Sequence, residues 1–174
     1  QGRGRWPLPR ILLDAPGAAG VTIHKLAENF DTGAILAQTP LSLDNDENLD
    51  SLTARIIMAA PPLLSNVMAD LPRYWANPRA QEEEQASHWP VPDAQMRTLD
   101  WSQGIAGILH KHRAFGSAMV QACVDGQPVW IEKLTAWQEV HSMPPGTIAA
   151  RYEDQIVIAA ADGLVLLISW YQAG

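Results

Sequence analysis

The residue best placed to do chemistry in this chain is an aspartate between an aromatic residue and a Thr-Gly pair, Phe30-Asp31-Thr32-Gly33. It follows Gly20-Val21-Thr22-Ile23-His24-Lys25-Leu26 and precedes Ala34 to Leu41. Both flanks are β-branched and apolar. Residues 20–26 and 34–41 therefore read as two buried strands, and the segment between them as a connection at a sheet end, where ligand sites tend to lie. A carboxylate there can move a proton or orient a base. Phe30 and Ala34 to Leu36 would disfavour its charged form by desolvation, whereas N–H groups of the Thr32-Gly33 turn would favour it by hydrogen bonding. An Asp before Thr-Gly is also a common loop acid satisfied by its own turn, and the residues alone leave both readings open.

The remaining polar residues bound the chemistry further. His24 lies mid-strand and reads as structural. His110 and His112 are two apart on a helical stretch and point to different faces, and with a single Cys and scattered His88 and His141 no metal-ligand cluster forms; no metal is expected. Phe-Asp-Thr-Gly-Ala is also how an aspartic protease presents its acid. That chemistry needs two carboxylates sharing a proton, and no second Asp-Thr-Gly occurs. The seven tryptophans, at 6, 75, 89, 101, 130, 137 and 170, lack interleaved basic residues and read as core and linker anchors, not as a base-stacking platform.

Several elements must position Asp31. Pro7 to Asp14 suits a short helix with Leu8, Ile11 and Leu12 on one face, ended by Ala15-Pro16-Gly17. After the strand pair and an acidic turn at Asp44 to Asn48, apolar residues recur at Leu49, Leu52, Ile56, Met58, Leu63, Leu64, Val67 and Leu71, the pattern of an amphipathic helix with Asp46 and Glu47 at its positive end. Pro61-Pro62 argues for a kink there or for two helices, the kink being preferred. Residues 76–96, rich in proline and carrying Glu82-Glu83-Glu84, read as a polar linker between a first domain, 1–75, and a second, 97–174. In the second, Asp100 is a candidate N-cap for a helix through about His112, followed by short strands at 118–124, 128–134, 146–150, 155–160 and 164–170, with hairpin signals at Asp125-Gly126 and Asp162-Gly163. That texture suggests a small β-barrel.

Composition narrows the partners. Of 174 residues, 47% are hydrophobic and 18% charged, an ordinary globular balance. Net charge is -7, with 7 Lys and Arg against 11 Asp and Glu in residues 1–91 and 5 against 8 in residues 92–174. Nucleic-acid affinity draws on phosphate neutralisation, so a tRNA-binding role for the second domain loses ground to a small amine substrate. Apolar runs such as 156–161 and 164–169 are too short to span a bilayer, and no signal core is visible. Cys123, the single cysteine, sits in a strand-like run and reads as a buried inert thiol, which suits a cytoplasmic setting.

The order of motifs resembles the formyltransferase family that uses 10-formyltetrahydrofolate, with its methionyl-tRNA, glycinamide ribonucleotide and amino-sugar branches. Arg3-Gly4-Arg5-Trp6-Pro7-Leu8 is similar to the segment after the family's Asn-X-His-Pro-Ser stretch, Gly20-Val21-Thr22-Ile23-His24 to its next strand, and Asp31-Thr32-Gly33 to its catalytic acid loop. Gln38 fits the pattern too. Ser87-His88-Trp89-Pro90, Leu99-Asp100-Trp101 and Arg113-Ala114-Phe115 resemble the linker and the opening of the C-terminal domain of the methionyl-tRNA and amino-sugar branches. The resemblance implies an α/β chain: part of a doubly wound catalytic domain followed by an OB-like barrel. No Asn-X-His-Pro-Ser stretch is present and the chain starts at Gln1, so the expectation is the back portion of a longer protein whose front half supplies that Asn and His.

The same resemblance implies site roles. Asp31 would hold the absent His or an ordered water and relay the amine's proton, and the backbone of Glu28, Asn29 and Phe30 would line the pterin pocket of the formyl donor, 10-formyltetrahydrofolate. Arg3 and Arg5 precede the first helix and would meet a phosphate or carboxylate of the acceptor, unless they are simply solvated. The competing reading is a non-catalytic fragment whose barrel positions a tRNA or a protein.

Overall fold

A computed structural model describes residues 2–172 and divides the chain into two compact units, the first ending at Val91 and the second starting at Pro92. In the first, helix α1, Leu8–Asp14, starts after Pro7, whose fixed φ suits a first turn, and buries Ile11 and Leu12. Strands β1, Gly20–His24, and β2, Ile35–Pro40, pair antiparallel in register Gly20 with Pro40 through Ile23 with Ala37, and the register slips at His24. They form a two-stranded sheet whose residues are mostly half-buried, where the sequence reads a buried pair.

Helix α2, Leu49–Ala69, is capped by Asn48, whose side chain accepts from the Asp50 and Ser51 N–H groups while Ser51 Oγ answers the Asn48 N–H. Glu47 is buried just before it, bonded to Ser51 and Arg55. Leu49, Leu52 and Val67 face inward. The helix continues through Pro61 and Pro62 and ends instead at Asp70, where α3, Leu71–Ala76, begins. The two prolines deprive the carbonyls of Ile57 and Met58 of their helical donors. Those residues are 64% and 75% exposed, so water is at hand for the freed carbonyls and the interruption is tolerated. By length and composition α2 is the one helix among the described residues apolar enough to cross a membrane; Ser, Thr and Pro break its sequence into short apolar runs and hide this from a run-length reading.

The stretch read as a linker is bonded into the first unit over most of its length. Arg79 exchanges both backbone hydrogen bonds with Ile35, at 2.7 and 2.8 Å, and Arg3 bonds to Ser87 and Trp89 across a parallel bridge with His88. Extended polar chain reads as linker locally, but its N–H and C=O groups here find partners on β2 and on the N-terminal segment.

The second unit is α4, Ala94–Arg97, then α5, Ile105–Phe115, then five strands: β3, Val120–Val124; β4, Gln127–Gln138; β5, Ile148–Tyr152; β6, Gln155–Ala160; β7, Gly163–Gln172. They form one antiparallel sheet in the order β3-β4-β7-β6-β5, and β3 and β5 share no ladder among the described residues, so the sheet is open where the sequence suggests a barrel. Asp125 and Gly126, both at positive φ, make the β3–β4 turn as the Asp-Gly signal requires. Ile131, Ile158, Val165 and Leu167 are fully buried on the sheet's inner face, with Ile108 and Phe115 of α5. Alternation along β3 buries Ala122 and Val124 and turns Cys123 outward, so the thiol read as buried is exposed.

Asp100 does not cap α5. It closes a local turn, accepting from the Ser102 N–H and hydroxyl, and α5 begins five residues later at Ile105, whose N–H donates to Asp162 Oδ1 at 2.7 Å. Further along the helix, His112 Nε2 donates to the carbonyl of Glu132, 3.0 Å away, at the bulge where β4 slips past β7. Burial, reinforced by Arg113, holds the His112 imidazole below its ordinary pKa and outweighs that hydrogen bond.

Two outcomes follow from these contacts. Asp162→Ala should lower the unfolding free energy in urea by about 1 kcal/mol as the α5 N-terminus loses its acceptor, and Asp100→Ala should cost clearly less. Because the unfolded chain takes up the His112 proton more readily than the folded one, stability present above pH 6.5 should fall on acidification through that value and level off below the folded pKa. His112→Gln should flatten that part of the urea-stability profile against pH.

Candidate active site

Asp31 lies on the loop joining β1 to β2, and three constraints bring it back over the end of β1. The Lys25 N–H donates to the Ala34 carbonyl at 2.9 Å, closing the loop at its base. Thr32 Oγ1 donates to the Asn29 carbonyl at 2.9 Å and braces the turn. Gly33 lies so close to β1 that a Cβ there would be 1.6 Å from the Lys25 carbonyl oxygen and 3.0 Å from His24 Nδ1. Only glycine allows that approach. Asp31 itself adopts φ 59°, a left-handed conformation that aspartate tolerates better than most residues.

The loop thus sets Asp31 Oδ1 3.9 Å from His24 Nε2, within ion-pair range and beyond a direct hydrogen bond. His24 Nδ1 is 2.8 Å from the Lys25 carbonyl, which can only accept, so Nδ1 carries a proton and Nε2 is the nitrogen free to gain or lose one. A neutral ring would turn a lone pair toward the carboxylate. A donor on a substrate atom placed between the two groups would be accepted from both sides. Asp31 is 52% exposed and His24 28%.

Both residues line a groove of about 330 Å³ together with Arg3, Thr22, Gln38 and Gln81. Gln38 is fixed on both sides, its Nε2 donating to Thr22 Oγ1 at 2.9 Å and its Oε1 accepting from Arg79 at 2.7 Å. Gln81 Nε2 donates to the carbonyls of Asp31 and Gly33, at 2.9 and 2.6 Å.

The other residues read as site candidates are placed as follows. Glu28, Asn29 and Phe30 form the exposed rim before Asp31 and do not line this groove; Phe30 is 93% exposed, so no apolar wall shields the carboxylate. Arg3 reaches the groove, but it is 7% exposed and its guanidinium makes a bidentate pair with Glu83 and a bond to Gln81 Oε1, where the sequence reading expects a contact with the acceptor. Its fork matches a carboxylate, and Glu83 supplies one from within the chain. Hydrogen bonding to Arg3 holds the Glu83 carboxyl below its ordinary range. Arg5 is exposed and outside the groove. Among the described residues no three His, Cys, Asp or Glu side chains are placed to hold a metal ion. Sequence reading missed His24 and Gln81. The sequence places His24 in the middle of a strand over 20–26, whereas β1 ends at His24, directly under the loop.

Comparison with known proteins adds to this geometry. The family described as "Formyl transferase" matches residues 3–68, and "Formyl transferase, C-terminal domain" matches residues 93–174. Methionyl-tRNA formyltransferase of Treponema pallidum is 28% identical over 175 residues, covering 99% of this chain and 55% of the relative, so the chain spans about half the length of that curated protein. Among solved structures, HypX from Aquifex aeolicus in complex with tetrahydrofolic acid superposes with a TM-score of 0.80 at 20% identity, over 99% of this chain and 30% of that one. An N-formyltransferase from Helicobacter canadensis, in complex with folinic acid and dTDP-3-aminofucose, gives 0.60 at 17% identity, over 92% and 59%.

The approach of Gly33 to β1 supplies a test of the loop. Gly33→Ala should force it off the Lys25 carbonyl and lower the unfolding free energy by about 2 kcal/mol or more, measured by urea denaturation.

Proposed function

The chain belongs to the formyl transferase family, and we propose that it contributes Asp31 and His24 to a site that moves a formyl group from 10-formyltetrahydrofolate to an amine. The observation that carries the proposal is the His24–Asp31 pair: Nδ1 pinned by the Lys25 carbonyl, Nε2 facing Oδ1 across 3.9 Å, at the wall of a groove. The formyl donor supplies an electrophilic carbon, and an attacking amine must shed a proton as it bonds there. Asp31 takes that proton or holds the group that does, and His24 stabilises the charged carboxylate when Nε2 is protonated. Family resemblance assigns the oxyanion donors to an Asn and a His of an Asn-X-His-Pro-Ser stretch, which these 174 residues do not contain and which the whole protein would provide.

The residues present suit the donor. The backbone of Glu28, Asn29 and Phe30 is on an exposed rim, and Leu26 and Phe30 at 96% and 93% exposure offer apolar surface to a flat ring. For the acceptor, a small amine is favoured over tRNA, because acids outnumber bases in both units, which disfavours a phosphate backbone. The second unit is read as an open OB-like curl, with the β4 bulge bending its longest strand.

In the full-length protein, Asp31→Asn should keep the side-chain volume and lose the negative charge. Turnover should fall about a hundredfold, roughly 3 kcal/mol at the transition state, with donor affinity changed only a few-fold. The acidic limb of the rate profile should flatten or shift. Near-normal turnover with an unchanged acidic limb would refute the assignment.

A further inference from the structure

Gln81, fifty residues along the chain from Asp31, is bonded to the loop backbone on both sides of Thr32, and its orientation leaves no freedom. Arg3 Nη2 donates to Gln81 Oε1 at 2.8 Å. An arginine offers no acceptor, so the amide oxygen must face it and both amide hydrogens must face the other way. There they meet two carbonyls, Asp31 at 2.9 Å and Gly33 at 2.6 Å. Arg3 is held in turn by Glu83 through Nη1 and Nη2, at 2.9 and 2.7 Å, and its backbone is fixed between Ser87 and Trp89. A connected line of polar contacts therefore runs from Glu83 through Arg3 and Gln81 to the peptide units around the acid. Those units are unusual: Asp31 has a positive φ, and Gly33 is pressed against Lys25.

From this we infer that Gln81 is a positioning residue for formyl transfer, and that Arg3 serves by fixing the Gln81 amide. The inference rests on the reading of Asp31 as the proton-handling acid. Gln81 touches neither Oδ atom. It holds the backbone in the conformation that aims the carboxylate at His24, and the segment 79–83 that supplies it belongs to the stretch whose polarity reads as linker. The two donors matter more than the volume: a carboxylate in place of the amide would still accept from Arg3, yet it would set oxygens against the two carbonyls and release the loop.

Gln81→Glu in the full-length protein is the direct test, because it keeps size, packing and the contact to Arg3 while deleting both donors. Three readouts apply: thermal midpoint, exchange of the Lys25 amide, whose bond to Ala34 closes the loop, and steady-state kinetics with 10-formyltetrahydrofolate. The midpoint should stay within a few degrees, the Lys25 amide should exchange about tenfold faster, and kcat should fall about tenfold to a hundredfold with little change in KM for the donor. Arg3→Lys, which keeps the charge but not the fork, should move both loop exchange and kcat in the same direction by less. Unchanged Lys25 exchange in Gln81→Glu overturns the clamp, whatever the activity. Faster exchange with wild-type kcat, in a protein that Asp31→Asn disables, overturns the positioning role. If Asp31→Asn keeps its turnover, the formyl-transfer reading falls and the role of Gln81 in it falls too, while the exchange measurement still decides the clamp.

Discussion

The geometry of the candidate site depends on one close approach, the backbone of Gly33 against the carbonyl of Lys25. A β-hairpin can be joined in many ways, and most send the loop residues into solvent, as Leu26 and Phe30 are sent here. The contact at Gly33 reverses that course after Phe30 and lays the next turn back over the strand end. It fixes two things together: Asp31 comes within ion-pair range of His24, and the Lys25 carbonyl, shielded by the returning chain, remains the acceptor that selects the His24 tautomer. A substituent at 33 would disturb both through a single atom. Acid and imidazole are thus coupled through the backbone.

This dependence explains what was legible in the sequence. The β1–β2 connection, the Asp125-Gly126 hairpin and strand β6 are set by residues within a few positions of each other, through β-branching, turn chemistry and alternation, and each forms where those patterns place it. Asp31 was legible for the same reason, since the acid and the glycine that turns the chain are two residues apart. His24 and Gln81 were not. Nothing adjacent to His24 marks it as anything but a strand residue, and its partner is set by loop closure. Gln81 sits next to three glutamates, which locally describe a solvated run. Its amide orientation is set by Arg3, 78 residues away.

The same contrast separates the two caps. Asn48 and Ser51 form a reciprocal cap within four residues, whereas α5 takes its N-terminal acceptor from Asp162, 57 residues on, in the turn before β7. Asp100 had the right residue type but formed a tighter local turn with Ser102. A short-range hydrogen bond restricts little chain, so it wins wherever the geometry allows it. The distant cap survives because β6 and β7 already hold Asp162 in place for reasons of their own core packing.

Arg3 shows how a charge can be buried to serve geometry. Taking a guanidinium out of water is costly, and an exposed partner such as Glu83, 64% accessible, offsets only part of that cost. Placing an arginine there to add stability would be a poor arrangement. Its effect lies in what the pairing does to the next residue: a group with five donors and no acceptor forces Gln81 into one amide orientation, and two hydrogen bonds of about 1 kcal/mol each then act on a loop whose aspartate gives up a comparable amount in its left-handed conformation. The two sums are close. The two amide bonds thus add to the Gly33 contact, the Thr32 brace and the Lys25–Ala34 bond, and together these oppose a carboxylate that would otherwise follow Phe30 outward.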